Sequence, residues 1–388
     1  MPIAPKTPGV SVEESSNSSQ PIAGVATSIA AFIGPTRRGA SGKPMQVASF
    51  AEFERRFGGL SPALETGYSV KQFFANGGTT AWVLRVAKDA TAAQLVACIQ
   101  ALNTVDLFNL LVLPGVSDGA VVAAATDYCQ KRRALLIIDS PAQAKTPAQM
   151  AQVVTRGMWP KTGFAAAYYP WLKIADPLNA SQTRIVAPAG TIAGLIAQND
   201  ATRGVWKAPT NLALQGVQGL DYTLTETDSG WLTPLGVNCL RWFPGRGLLA
   251  WGARTLAGED AADADWKYIS VRRLALFIEE SVDRGTKWAE FEPNAEALWL
   301  KLQDLVGNFL TGLWRRGALL GPKPETAFYV KCGLGTIMTQ RDIDEGRLIL
   351  EIGMAAVRPA EFIILRISHP CRAKIEGKPM NIGVNRFR

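Results

Sequence analysis

The chain has 388 residues, nearly half of them hydrophobic and 19% charged, which is enough to bury a sizeable core in two or three domains and excludes a disordered chain. Its formal net charge is +8. No run of about 18 uncharged apolar residues appears, so no membrane span or insertion is expected, and no basic segment followed by an apolar run suggests a secretory signal. Five widely spaced cysteines, Cys98, Cys129, Cys239, Cys332 and Cys371, lack metal-ligand spacing and read as reduced, mostly buried thiols.

Met1–Gln20 is rich in proline and serine, with a short alternation at Val10-Ser11-Val12-Glu13. Ser28–Gly34 reads as a strand and Pro35–Pro44 as a polar turn. Ser49–Phe57 reads as a helix with Phe50, Phe53 and Phe57 on one face, and Glu65–Asn76 as a second, ended by Gly77-Gly78. Then come a strand at Ala81–Val86, a helix over Ala90–Asn103, a strand at Leu107–Leu113, a helix over Gly119–Lys131 and a strand at Ala134–Asp139. A helix at Thr146–Arg156 and a buried strand at Gly163–Tyr169 follow. Such alternation implies βαβ units and a parallel sheet covered on both faces.

The pattern then changes. Ala189–Asn199 reads as a helix before the turn-rich Asp200–Ala213. Strands at Val237–Trp242 and Leu248–Trp251 flank the turn Pro244–Gly247. Tyr268–Asp283 and Asn294–Arg316 read as long amphipathic helices, the second with Leu298, Leu302, Leu305, Phe309 and Leu313 at helical spacing. Strands at Ala327–Cys332 and Arg347–Ala356 and the apolar run Glu361–Ile367 complete an α+β unit distinct from the α/β body. In the basic Cys371–Arg388, Met380, Ile382 and Val384 alternate with polar or small residues, ahead of Phe387.

Both ends therefore carry one apolar row of an extended strand but too little surface to fold alone. They read either as frayed termini or as arms that add strands to a neighbouring molecule. The local basic excess is at the far end: Arg366, Arg372, Lys374, Lys378, Arg386 and Arg388 against Glu376. Without interleaved aromatics it suits an acidic protein surface or solvent better than nucleic acid.

The sequence offers little to catalysis. Gly42-Lys43 approximates a phosphate loop, but Arg37 stands where the first glycine belongs and Pro44 where the hydroxyl belongs. Gly245/Gly247 and Gly333/Gly335 read as turns. The single histidine, His369, precedes Pro370; Asp139 and Ser140 are its tempting partners, with no Gly-x-Ser-x-Gly elbow. No catalytic, cofactor or metal residue is assigned. The eleven tryptophans are scattered, and Arg241-Trp242 and Trp314-Arg315-Arg316 suit rigid protein contacts.

Several blocks carry a resemblance: Pro8–Glu14, Ile22–Gly34, Gly194–Pro209, Val237–Leu256, Trp266–Glu280 and Phe328–His369. In these the sequence resembles the tail sheath proteins of contractile bacteriophage tails and related contractile injection particles. The resemblance implies a subtilisin-like parallel-sheet α/β domain without the protease triad, a C-terminal α+β domain against an inner tube, and extended terminal arms. The implied divisions are an N-terminal arm at 1–25, an outer domain at 26–235, an inner, tube-facing domain at 236–370 and a C-terminal arm at 371–388. The N-terminal arm is expected to join the inner domain in space. Arm strands are expected at Val10, Val12, Glu13, Met380, Ile382, Val384 and Phe387, pairing with neighbouring subunits.

The function implied is that of a structural subunit, not an enzyme. Such subunits polymerise as stacked hexameric rings around a tube and contract to drive it through a target envelope. Implied partners are further copies of the chain, the inner tail tube protein, and baseplate and tail terminator proteins, in a virion tail or headless particle assembled in a bacterial cytoplasm. Arg284, Lys287, Arg315 and Arg316 are candidates for the tube-facing surface, or for an ordinary solvated helix face. A subtilisin-like hydrolase and a basic nucleic-acid-binding protein are the alternatives.

Overall fold

A computed structural model describes residues 21–259 and 265–360. Its first half alternates strand and helix as the periodicity requires: β1 (Ala30–Pro35), β2 (Met45–Val47), α1 (Phe50–Phe57), α2 (Glu65–Ala75), β3 (Ala81–Val86), α3 (Ala92–Ile99), β4 (Leu110–Val112), α4 (Gly119–Lys131), β5 (Leu135–Asp139), α5 (Pro147–Thr155) and β6 (Ala165–Tyr169). Local chemistry marks the helix ends. The Ser49 side chain accepts from Glu52 N at the start of α1, and Gly58 ends it at φ +86°. Capping boxes at Thr91/Gln94 and Thr146/Gln149 open α3 and α5.

The second half contains β7 (Leu172–Asp176), β8 (Asn179–Val186), α6 (Ala189–Arg203), β9 (Leu212–Ala213), β10 (Gly219–Leu220), α7 (Glu226–Leu232), β11 (Val237–Phe243) and β12 (Gly247–Trp251). These lead to α8 (Ile269–Thr286), α9 (Glu296–Arg315), α10 (Pro324–Ala327), β13 (Phe328–Lys331), α11 (Gln340–Asp344) and β14 (Glu351–Met354). Nine strands form one sheet in the order β2-β3-β1-β4-β5-β6-β11-β12-β9. From β3 to β11 every pairing is parallel, while β2, β12 and β9 add antiparallel at the ends.

Successive residues of a central strand point to opposite faces, so a sheet covered on both sides needs apolar residues at every position. In β1, Ala30 and Phe32 join a core packed with α1, α2 and α6, whereas Ala31 and Ile33 join a core packed with α3, α4 and α5. The α2–α6 contact requires glycine. A Cβ at Gly190 would lie 2.2 Å from the Ser69 carbonyl oxygen, and one at Gly194 would lie 2.5 Å from that of Phe73.

The structure moves one expected boundary. β11 lies parallel beside β6, with Val237 opposite Ala167, and β12 folds back on β11. The strands expected to open the second domain at residue 236 thus extend the large sheet instead. Strand periodicity is the same in either sheet, so it carries no information about which sheet a strand joins. The β7–β8 hairpin was not anticipated, although Leu172 and Ile174 alternate with polar or small residues and both point inward.

A third core forms between α8 and α9. Leu274, Ile278 and Val282 meet Leu305, Val306, Leu310 and Leu313, with Ile22 and Val205 included. Within the expected N-terminal arm, residues 22–25 lie on this helix pair: Ile22 packs in its core, and Val25 N donates to Ser281 Oγ at 3.1 Å. The expected arm residues Val10, Val12, Glu13, Met380, Ile382, Val384 and Phe387, and also His369, lie outside the described residues.

Candidate assembly surfaces

An alternative centred on Asp139 and Ser140 is answered by their surroundings. β5 delivers Asp139 to a site with no solvent exposure, where one carboxylate oxygen accepts from Gly115 N at 2.9 Å and the other from Ala189 N at 2.7 Å. Pro188 has no side chain able to cap α6, so Asp139 supplies the cap from another element. Burial pushes its carboxyl up to about 7, against the pull of the two N–H donors. Ser140 is equally buried, and its carbonyl accepts from Trp171 Nε1 at 2.8 Å. This is a structural node. Gly245 and Gly247 form the β11–β12 turn, and Gly333 and Gly335 form another. Burial raises the Cys239 thiol to about 11, which suppresses the reactive thiolate.

Ion pairs join α8 to the sheet domain. Arg273 and Asp200 are 2% and 4% exposed and bidentate, at 2.6 and 2.9 Å. Arg273 also donates to the Thr27 carbonyl at 2.7 Å, and the Thr27 hydroxyl to Asp200 at 2.6 Å. Further along α8, Arg133 reaches Glu280 at 2.9 Å and Asp283 at 3.3 Å, while Arg284 reaches Asp106 at 2.9 Å and Glu280 at 2.7 Å. Hydrogen bonding from Arg284 holds the Asp106 carboxyl below its ordinary value. Burial raises Glu280, but the hydrogen bonds from Arg284 and Arg133 outweigh it and leave that carboxyl lowered. Arg284 is therefore engaged inside the chain, whereas Lys287, Arg315 and Arg316 are exposed. Sequence reasoning had no signal for the Arg284–Asp106 pair, whose members are 178 residues apart.

Beside the helices, β13 and β14 pair antiparallel, with Phe328 opposite Met354 and Lys331 opposite Glu351. Phe328, Val330, Ile352 and Met354 pack against the α8–α9 core. No further strand joins either edge among the described residues. Two-stranded sheets are marginal alone and offer unpaired backbone groups on both sides. A groove of about 690 Å³ also runs along α9, bordered by Ile22, Gly24 and Phe277. Among the described residues no cluster of His, Cys, Asp or Glu could hold a metal, and no helix is long and apolar enough to cross a membrane.

Residues 88–256 match the profile of the phage tail sheath protein central domain, and residues 261–369 that of the phage tail sheath C-terminal domain. The chain belongs to the contractile tail sheath family. The join between the two matches falls just after β12, where the architecture changes. In fold the sheath protein is similar to the contracted helical sheath of the anti-feeding prophage: TM-score 0.78, 30% identity, 94% of this chain and 99% of that one. It is also similar to the contracted PVC sheath complex of an extracellular contractile injection system: TM-score 0.76, 30% identity, 95% of this chain and 99% of that one. A prophage major tail sheath protein of Pseudomonas aeruginosa UCBPP-PA14 is 28% identical over 218 residues, 55% of this chain and 54% of the relative. The sheath protein thus spans about half the length of that relative. It is a structural subunit of a contractile sheath, with a mixed α/β fold dominated by a parallel sheet.

Proposed function

We propose that this subunit polymerises as stacked hexameric rings around an inner tube and contracts to drive that tube through a target envelope. The observation that carries the reading is the β13–β14 sheet, which has one packed face and two edges open to further strands among the described residues. Arms centred on Pro8–Glu14 and Pro379–Phe387 of neighbouring subunits would complete it, main-chain hydrogen bonds giving affinity and Val10, Val12, Met380, Ile382 and Val384 giving register. Heterologous contacts of this kind repeat along a helix without closing. Contraction is then the release of a metastable lattice in which many small gains add, with no nucleotide hydrolysis and no enzyme chemistry in the subunit. The outer domain keeps a subtilisin-like topology as scaffold only.

Lys287, Arg315 and Arg316 are the remaining candidates for acidic groups on the tube, since Arg284 already serves Asp106. Baseplate and terminator proteins would engage the two ends of the polymer, assembled in a bacterial cytoplasm. Electron microscopy of the purified chain tests the reading. Hollow tubes should form without DNA and vanish on deletion of residues 1–20 or 371–388, while circular dichroism shows a folded body. Normal polymerisation of both truncations would overturn the arm mechanism.

A further inference from the structure

The groove along α9 has one rim where the chain emerges from residues 1–20. Ile22 and Gly24 line it, together with Phe277, Phe309 and Leu313. The same face of α9 places Lys301 and Arg316 at its two ends, with Asp304 between them. Neither cation has a carboxylate partner among the described residues; Lys301 lies 4.3 Å from the centre of the Trp288 ring and Arg316 4.9 Å from that of Trp206. Gly312 opens the floor, since a Cβ there would meet nothing within 4 Å. An apolar trough with a net positive rim fits an extended segment bearing alternate apolar side chains and adjacent acids.

Val10-Ser11-Val12-Glu13-Glu14 has that composition. From Glu14 to Pro21 seven residues span up to about 23 Å when extended, and the α9 face from Lys301 to Arg316 is about 22 Å long. The segment can therefore reach the whole groove of its own subunit. A tether this short holds it at an effective concentration on the order of 1 mM, far above that of a second copy in dilute solution.

We propose that in the unassembled subunit the groove along α9 holds Val10–Glu14 of the same chain, with Val10 and Val12 in the trough and the adjacent Glu13 and Glu14 together at one of its two cationic ends. This stored position competes with pairing on a neighbour's sheet edge, so it delays polymerisation until neighbours displace it. Only this last consequence rests on the reading of the chain as a polymerising subunit.

The test is cleavage after Glu13 and Glu14 by a glutamate-specific protease, on the full-length subunit at concentrations below polymerisation. Gly312→Trp fills the groove, and cleavage after Glu13 and Glu14 should then be about tenfold faster than in the wild type, the ratio that an effective concentration of about 1 mM gives for a local Kd of about 0.1 mM. A double charge reversal, Lys301→Glu with Arg316→Glu, should do the same, and adding Glu13→Lys and Glu14→Lys should restore slow tryptic cleavage at the new lysines. Light scattering should show a shorter polymerisation lag for both unlocked variants. Wild-type protection should not vary with protein concentration. Equal cleavage rates in the wild type and the charge-reversed protein would overturn the proposal, whatever the folding of Gly312→Trp. Protection that grows with concentration would also overturn it, assigning the groove to a second copy. Tubes that form normally while cleavage is unchanged in the variants would spare the assembly reading and remove only this one.

Discussion

Asp200→Ala is the most searching single change to the joint between the two helical layers. Asp200 on α6 and Arg273 on α8 are almost wholly buried and share two short hydrogen bonds, with Thr27 bonded to both. Removing the carboxylate leaves the guanidinium buried with, among the described residues, only the Thr27 carbonyl to answer it. Breaking a buried pair in this way costs about 3–5 kcal/mol, a large share of the 5–15 kcal/mol by which domains are commonly stable. The double variant Asp200→Leu with Arg273→Met removes both desolvation costs and should lie within about 2 kcal/mol of the wild type, or above it. Urea unfolding of the full chain below its polymerisation concentration measures both, by circular dichroism and by tryptophan fluorescence. Trp206, Trp288 and Trp314 report the α8–α9 core, where loss of coupling would show as a separate early transition. A single-variant loss under about 1 kcal/mol, or a double variant equal to the sum of its singles, would refute the reasoning.

Two further predictions use the same assay. Gly190→Ala should destabilise by about 1–3 kcal/mol, because its methyl meets the Ser69 carbonyl and forces α2 and α6 apart. Gly307→Ala, where the methyl meets nothing within 4 Å, should instead stabilise α9 by up to about 1 kcal/mol; the same sign at both sites would count against the packing argument. Asp139 predicts a pH dependence. Its folded carboxyl titrates near 7 against an ordinary 3.8, so the native state holds the extra proton across that window. Stability should fall as pH rises from about 4 to about 7 and level off above. Asp139→Asn should flatten the slope while lowering stability throughout, because its amide cannot accept both N–H bonds; an unchanged slope would exclude Asp139 as its source.

The parallel sheet and its helices were legible because two-sided burial writes unbroken apolar runs such as Leu135–Ile138, and caps such as Ser49 and Thr146 punctuate the helices. The β7–β8 hairpin shows in the sequence only as the brief alternation of Leu172 and Ile174, too short to set a strand apart from its turn-rich surroundings. Arg284 marks the limit of reading charge from sequence. It has the composition of a surface contact, and its acid partner at Asp106 comes from a loop that no local pattern connects to α8.

By itself the sequence determined the local periodicities, the positions of caps and turns, the lack of a phosphate loop or serine elbow, and the blocks by which the chain is recognised. Each depends on residues a few positions apart, which is the range over which side-chain spacing sets backbone geometry. Only the tertiary structure decided that β11 and β12 belong to the large sheet, that Asp139 caps α6 from a distant strand, and that α8 is tied to α6 by buried charge. Those outcomes come from meetings between segments tens to hundreds of residues apart, where burial and hydrogen-bond satisfaction of the assembled whole select the partner.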